Sequence, residues 1–188
     1  IRLDGGLYPG LAGAAVATRE GIVLGLASPA FHRHHGVVVP AATIARVLDA
    51  VGRATRGVPV VFPVHPRTAK TLATLPAPPA SLVVVEPQPY LEFNHLVRHA
   101  KGVITDSGGV TEETTVLGVP CITLRDTTER PETVTVGTNE LIGTDPSALE
   151  PTLARLFAGE WKRGRIPDLW DGRSGERIAA MLDGLLAA

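Results

Sequence analysis

Short apolar runs alternate with amphipathic segments along most of this chain. Residues 22–27 (IVLGLA), 58–64 (VPVVFPV), 82–85 (LVVV), 103–104 (VI) and 120–124 (PCITL) are continuous apolar stretches of strand length. Leu141-Ile142 adds a minimal strand. Between them lie helical patterns. Ile44, Val47, Leu48 and Val51 fall on one face of a segment that Pro40 opens and Gly57 closes. A short helix is expected over 68–75, and another over 90–100, with Leu91, His95 and His99 sharing a face. A third covers 110–117. Asp145-Pro146 reads as an N-cap followed by proline at the first helical position, with Leu149, Leu153, Leu156 and Phe157 as the apolar face. A last amphipathic helix covers 176–186, with Ile178, Met181, Leu182, Leu185 and Leu186 expected to point inward. Residues 28–39, 76–79, 125–138 and 161–175 read as loops. Residues 1–21 are rich in Gly and Ala and show no period, so they read as a connector.

Continuous apolar strands separated by helices predict an α/β fold, a parallel sheet covered by helices on both faces. In such sheets ligands sit at the carboxyl ends of the strands. His32, His65, Ser107 and the stretch 125–130 all follow predicted strands, so they are expected along one edge.

Composition narrows the classes. The chain has 188 residues, 44% of them hydrophobic and 20% charged, which suits one globular domain (22–188) after the connector. A net charge of -1 supplies no global basic field for nucleic acid, and 4% aromatics leave few stacking platforms. Cys121 is the only cysteine, so there is no internal disulfide and no cysteine-based zinc site. Its plain role is that of a buried strand residue. No apolar run reaches membrane-spanning length and the first residues lack a signal peptide's pattern, so a cytoplasmic protein is expected.

The chemistry concentrates in residues 102–117, GVITDSGGVTEETTVL. A strand, the turn Asp106-Ser107-Gly108-Gly109 and a helix follow at once. That order places free backbone N–H groups at a helix N-terminus, where the macrodipole favours an anion. Glycine lets a phosphate approach those groups, Ser107 adds a hydroxyl, and Glu113 can accept from ribose hydroxyls. The same residues also make a well-capped turn with no ligand. Elsewhere, the cluster His32, His34 and His35 has no carboxylate or cysteine at ligand spacing nearby, so a solvated loop is preferred to a metal site. Glu112 and Glu113 are adjacent on a helix and diverge, which argues against a paired acid–base dyad.

Longer strings carry a resemblance. Pro87-Gln88-Pro89-Tyr90-Leu91-Glu92-Phe93, Thr105-Asp106-Ser107-Gly108-Gly109 with Glu112-Glu113, Leu117-Gly118-Val119-Pro120, Arg125-Asp126-Thr127-Thr128-Glu129-Arg130-Pro131-Glu132 and Gly137-Thr138-Asn139 stand in order. Val64-His65-Pro66 and Trp170-Asp171-Gly172-Arg173 accompany them. Together they resemble the C-terminal half of the non-hydrolysing UDP-N-acetylglucosamine 2-epimerases. The resemblance implies a Rossmann-like domain, the second half of a glycosyltransferase-B-type fold. It implies that Ser107, Gly108 and Gly109 hold a diphosphate, that Glu113 takes the ribose, that Gln88 and Phe93 lie near the uracil, and that Arg130 orders the phosphate end. His65 matches a residue touching a second, regulatory UDP-sugar. His32-Arg33 aligns with the family's His-Arg pair, so the resemblance implies that His32 is the catalytic histidine. The implied reaction inverts carbon 2 by eliminating UDP and adding it back, with no cofactor and no metal. Relatives of this kind form homodimers, and their acid–base carboxylates lie on an N-terminal domain that is missing here. A UDP-sugar-binding module without catalysis is therefore an alternative, as is a glycosyltransferase or hydrolysing epimerase of the same architecture.

Overall fold

The computed structural model describes residues 2–3, 15–17, 23–28, 36–55, 57–64, 69, 72–73, 77 and 79–186, with side chains from residue 45 onward. His32, His65 and most of the helix expected over 68–75 lie outside the described residues. The chain divides into two compact units: Ile1–Glu92 with Asp145–Ala154, and Phe93–Thr144 with Arg155–Ala188.

In the first unit, β1 (Arg2–Leu3), β2 (Ala15–Ala17), β3 (Val23–Ser28) and β4 (Gly36–Pro40) form an antiparallel sheet in the order β1-β4-β3-β2. This corrects two expectations. Residues 28–39 are not all loop, because Val37-Val38-Val39 is a β-branched run that pairs with 26–28 of β3. Residues 1–21 are not wholly a connector, since Ala15↔Leu26 and Arg2↔Val37 are paired positions. Pro40 closes β4 rather than opening the helix, and α1 (Ala41–Ala54) begins at the next residue. Its inward face is Ala50, Val51 and Ala54, all buried. Gly57 follows at φ +86°, a left-handed turn that glycine adopts freely. β5 (Val60–Pro63) and β6 (Leu82–Val85) then pair in parallel. Asp145 caps the next helical segment as expected, its carboxylate accepting from Ser147 N–H at 2.9 Å.

The second unit is built on a parallel sheet of β7 (Val103–Thr105), β8 (Cys121–Thr123) and β9 (Asn139–Leu141), with Val103, Cys121 and Asn139 in register. The crossovers are α3 (Gly108–Leu117) and α4 (Pro131–Thr135); α2 (Tyr90–His99) precedes β7. Parallel neighbours need such crossovers, which is why each strand is followed by a helix. The stretch 125–138, expected as loop throughout, contains α4; Pro131 at its first position needs no N–H partner there. β8 is wholly buried, with Cys121 and Ile122 at 0% exposure. Gly118, at φ +71°, ends α3 in the left-handed conformation and Val119 N–H returns to Thr114 O at 2.9 Å.

α5 (Leu149–Ala158) buries Leu149, Leu153 and Leu156. The terminal helix α6 (Ser174–Leu186) forms where the pattern places it, but its apolar residues do not point inward. Ile178, Met181, Leu182, Leu185 and Leu186 are all exposed. Periodicity reports an apolar face without naming what covers it. No helix among the described residues is long and apolar enough to cross a membrane.

Candidate functional site

The site is the strand–turn–helix of β7 and α3, within the second unit. Thr105 ends β7, and its Oγ1 accepts from Ser107 N–H at 3.0 Å, which tightens the turn. Ser107 is the N-cap of α3, with extended backbone (φ -89°, ψ 123°) and no side-chain capping bond. Its hydroxyl is therefore not engaged in closing its own helix. The first-turn N–H groups of α3 have no intrahelical carbonyl to pair with. Gly108 and Gly109 stand at this terminus and add no side chain of their own to it. The helix is ten residues long, and its dipole makes this end a favourable place for negative charge.

Behind the turn, the helix is anchored by threonines. Thr111 Oγ1 donates to Gly108 O at 2.6 Å, and Thr114 and Thr115 Oγ1 donate to Thr111 O at 3.0 and 2.8 Å. All three are buried. Their hydroxyls are satisfied locally, so they pack like small apolar residues. This leaves Glu112 and Glu113 on the half-buried flank. They diverge as expected. Glu112 Oε1 accepts from Arg130 Nε, whereas Glu113 has no ion pair among the described residues.

The loop after β8 brings the remaining charges. Arg125 Nη1 pairs with Glu129 Oε2 at 3.2 Å. A Cβ on Gly108 would lie 3.1 Å from Glu129 Oε1, so this carboxylate lies beside the first turn of α3. A bond from its own backbone N–H, and then Arg125, hold the Glu129 carboxyl below the usual range. Arg130 is the N-cap of α4 and its Nη1 also reaches Glu129 O at 3.4 Å. Phe93 is half-buried on α2, in the same unit. Gln88 belongs to the other unit, where its Nε2 donates to Glu86 O at 2.7 Å.

Ser107, Gly108, Gly109, Glu113 and Arg130 thus fall in one unit, on the turn, the helix and the loop beyond the next strand. Three residues at or behind the turn were not singled out as site residues by the sequence: Glu112, Glu129 and the buried Asn139, whose Nδ2 donates to Thr133 Oγ1. The visible signal for Glu112 and Glu129 was their place in the same strings as Glu113 and Arg130. Asn139 also stood in such a string, Gly137-Thr138-Asn139, but an asparagine's burial is not legible in one sequence. Among the described residues, no group of three or more His, Cys, Asp or Glu could hold a metal ion. Cys121 is buried, and burial raises its thiol pKa, which fits an inert strand residue.

This architecture recurs in known proteins. The model of the UDP-N-acetylglucosamine 2-epimerase family matches residues 25–183. A UDP-N-acetylglucosamine 2-epimerase of Methanocaldococcus jannaschii is 42% identical over 128 residues, covering 65% of this chain and 34% of that protein. One from Salmonella typhimurium is 40% identical over 146 residues, covering 74% and 39%. Among solved structures, the Methanocaldococcus jannaschii enzyme in complex with UDP-GlcNAc and UDP superposes with a TM-score of 0.59 at 35% identity, covering 75% of this chain and 40% of that one. The Neisseria meningitidis enzyme bound to UDP-GlcNAc gives 0.64 at 29% identity, covering 75% and 40%. This chain therefore spans well under half the length of the relatives it matches. Parallel sheets flanked by helices, an uncapped glycine turn at a strand end and a family match over most of the chain agree, and the chain belongs to the UDP-N-acetylglucosamine 2-epimerase family.

Proposed function

We propose that this chain supplies the UDP-binding half of a non-hydrolysing UDP-N-acetylglucosamine 2-epimerase, interconverting UDP-GlcNAc and UDP-ManNAc. The observation that carries the reading is the N-terminus of α3, with Gly108-Gly109 in its first turn and the Ser107 hydroxyl not used as a cap. Main-chain N–H groups there hold the diphosphate, with Ser107 as an added donor. Glu113, without an ion pair among the described residues, accepts from the ribose hydroxyls. Phe93 and Gln88 serve the uracil, and Arg130 serves the phosphate end. In the reaction, the carbon 2 proton leaves to a base, the bond from carbon 1 to the UDP oxygen breaks, and a 2-acetamidoglucal forms. UDP then adds back at carbon 1 while carbon 2 is protonated on the other face. Donors fixed before the bond breaks meet the charge that grows on the leaving diphosphate.

The proposal extends to the whole protein. Acid–base carboxylates come from an N-terminal domain outside this sequence, His32 is the catalytic histidine, and His65 touches a second, regulatory UDP-sugar. Residues 22–188 carry the UDP-sugar-binding role. The protein is a cytoplasmic homodimer and needs no cofactor. Incubation with UDP-GlcNAc and separation of the gluco and manno products tests the activity. UDP binding without a manno product favours a binding module instead, a reading supported by the partial coverage of the relatives. Absence of UDP binding refutes both.

A further inference from the structure

We propose that Asn139 is a positioning residue for the nucleotide site, holding Arg130 in place through the hydroxyl of Thr133. The inference rests on the assignment of Arg130 to the phosphate end of the UDP site. Asn139 opens β9 and is completely buried, at 0% exposure. Thr123 Oγ1 donates to its Oδ1 at 2.6 Å, and its Nδ2 donates to Thr133 Oγ1 at 3.1 Å. Thr133 Oγ1 in turn donates to Arg130 O at 2.8 Å, and Thr133 N–H donates to the same carbonyl at 3.1 Å.

Every bond in this chain points one way, from the sheet to the loop. A threonine hydroxyl has one proton to give. Because the Asn139 amide donates to Thr133 Oγ1, that proton is left for Arg130. Aligned bonds in a dry interior polarise one another and strengthen the whole row. The row ends on the residue that caps α4 with non-helical backbone, φ -125° and ψ 63°. From that fixed backbone the Arg130 side chain reaches Glu112 on α3, one helix position from Glu113. The rigid sheet therefore sets where the guanidinium stands relative to the glycine turn. A leucine at 139 would fill the same space, yet it would leave the Thr123 hydroxyl without its acceptor and the Thr133 hydroxyl without the donor that directs its proton to Arg130.

The test is a double-mutant cycle read by calorimetric titration with UDP, alongside thermal melting. Arg130→Ala should weaken UDP binding about tenfold, as expected for one lost charge-assisted bond. Asn139→Ala and Thr133→Val should each weaken it about threefold to tenfold, while Thr133→Ser, which keeps the hydroxyl, should stay within about twofold of wild type. The deciding comparison is Asn139→Ala in the Arg130→Ala background. There it should cost no further affinity, although its loss in melting temperature persists. An equal affinity loss in both backgrounds overturns the positioning role, as does wild-type UDP affinity in Thr133→Val, which keeps the volume of the side chain. Wild-type UDP affinity in both Arg130→Ala and Ser107→Ala refutes the site assignment itself, and the positioning role falls with it. Weak binding in Arg130→Ala with none of the loss in Asn139→Ala or Thr133→Val refutes only the positioning role.

Discussion

Helices α3 and α6 invert the usual rule of burial. α3 is rich in threonine and buries Thr111, Thr114 and Thr115 almost completely. α6 is rich in leucine and leaves Leu182, Leu185 and Leu186 exposed. The difference lies in what each helix meets. The threonines of α3 return their hydroxyls to carbonyls of their own helix, so burying them strands no polar group. They are also small. A Cβ on Gly137 would stand 2.5 Å from Thr115 Oγ1 and 2.7 Å from Thr133 O, so the loop after α4 lies directly against the helix. α6 is tied at its start by charge. Arg177 Nη1 and Nη2 bond Asp171 Oδ2 and Oδ1 at 3.0 and 2.9 Å, and Nη2 also reaches Leu169 O at 2.9 Å. Close packing thus supports the helix whose N-terminus is the candidate site, while surface ion pairs hold the one whose apolar face is open.

The contrast can be broken in order of effect. Ile122→Ala, in the wholly buried strand under α3, should lose about 2–5 kcal/mol of stability, whereas Leu185→Ala should stay within about 0.5 kcal/mol in this chain; chemical denaturation measures both. Gly137→Ala should lose about 3 kcal/mol, since its Cβ meets backbone as well as the Thr115 side chain, and an unchanged unfolding midpoint would contradict the close approach. Ser107→Ala and Glu113→Ala should each weaken UDP binding by about 1–3 kcal/mol with little change in melting temperature. Unaltered affinity in both would remove the turn from the site. Thr114→Val keeps the shape of a fully buried side chain and deletes a bond to Thr111 O, so a loss of about 1 kcal/mol is expected by the same denaturation measurement.

The smallest effect concerns acid. Hydrogen bonds from Arg177, and then from Arg173 N–H, bring the Asp171 pKa down from 3.8 to about 2. A depressed carboxyl adds stability that is complete above its unfolded value and lost as pH falls through the folded one. The contribution of this pair should therefore fade between about pH 4 and pH 2, and Asp171→Asn should flatten that limb of the stability profile. Because the pair is exposed, salt should shrink the difference.

Local chemistry made much of this legible beforehand. The strand 82–85 and the cap at Asp145-Pro146 form where the pattern places them, and the helix over 90–100 differs by one residue. Each depends on neighbours in sequence, whose preferences act over a few residues. The helix at 131–135 escaped notice because its five residues offer no apolar period. The strand at 36–40 escaped because the histidines and Pro29 beside it outweighed three valines. The site was partly readable for the same reason. Ser107, Gly108 and Gly109 are contiguous, and a glycine turn between strand and helix has a fixed geometry wherever it occurs.

By itself, then, the order of residues determined the alternation of strands and helices, the turn at Ser107 and membership of an epimerase family, all of which follow from local backbone preference and recognisable strings. Only the tertiary structure decided that Thr114 is core and Leu185 is surface, that Arg130 pairs with Glu112, and that a buried asparagine carries the loop above it. Burial and hydrogen-bond partnership belong to pairs of residues far apart along the chain, such as Thr123 with Asn139. No local pattern encodes which distant group will arrive to satisfy a hydroxyl or cover a leucine.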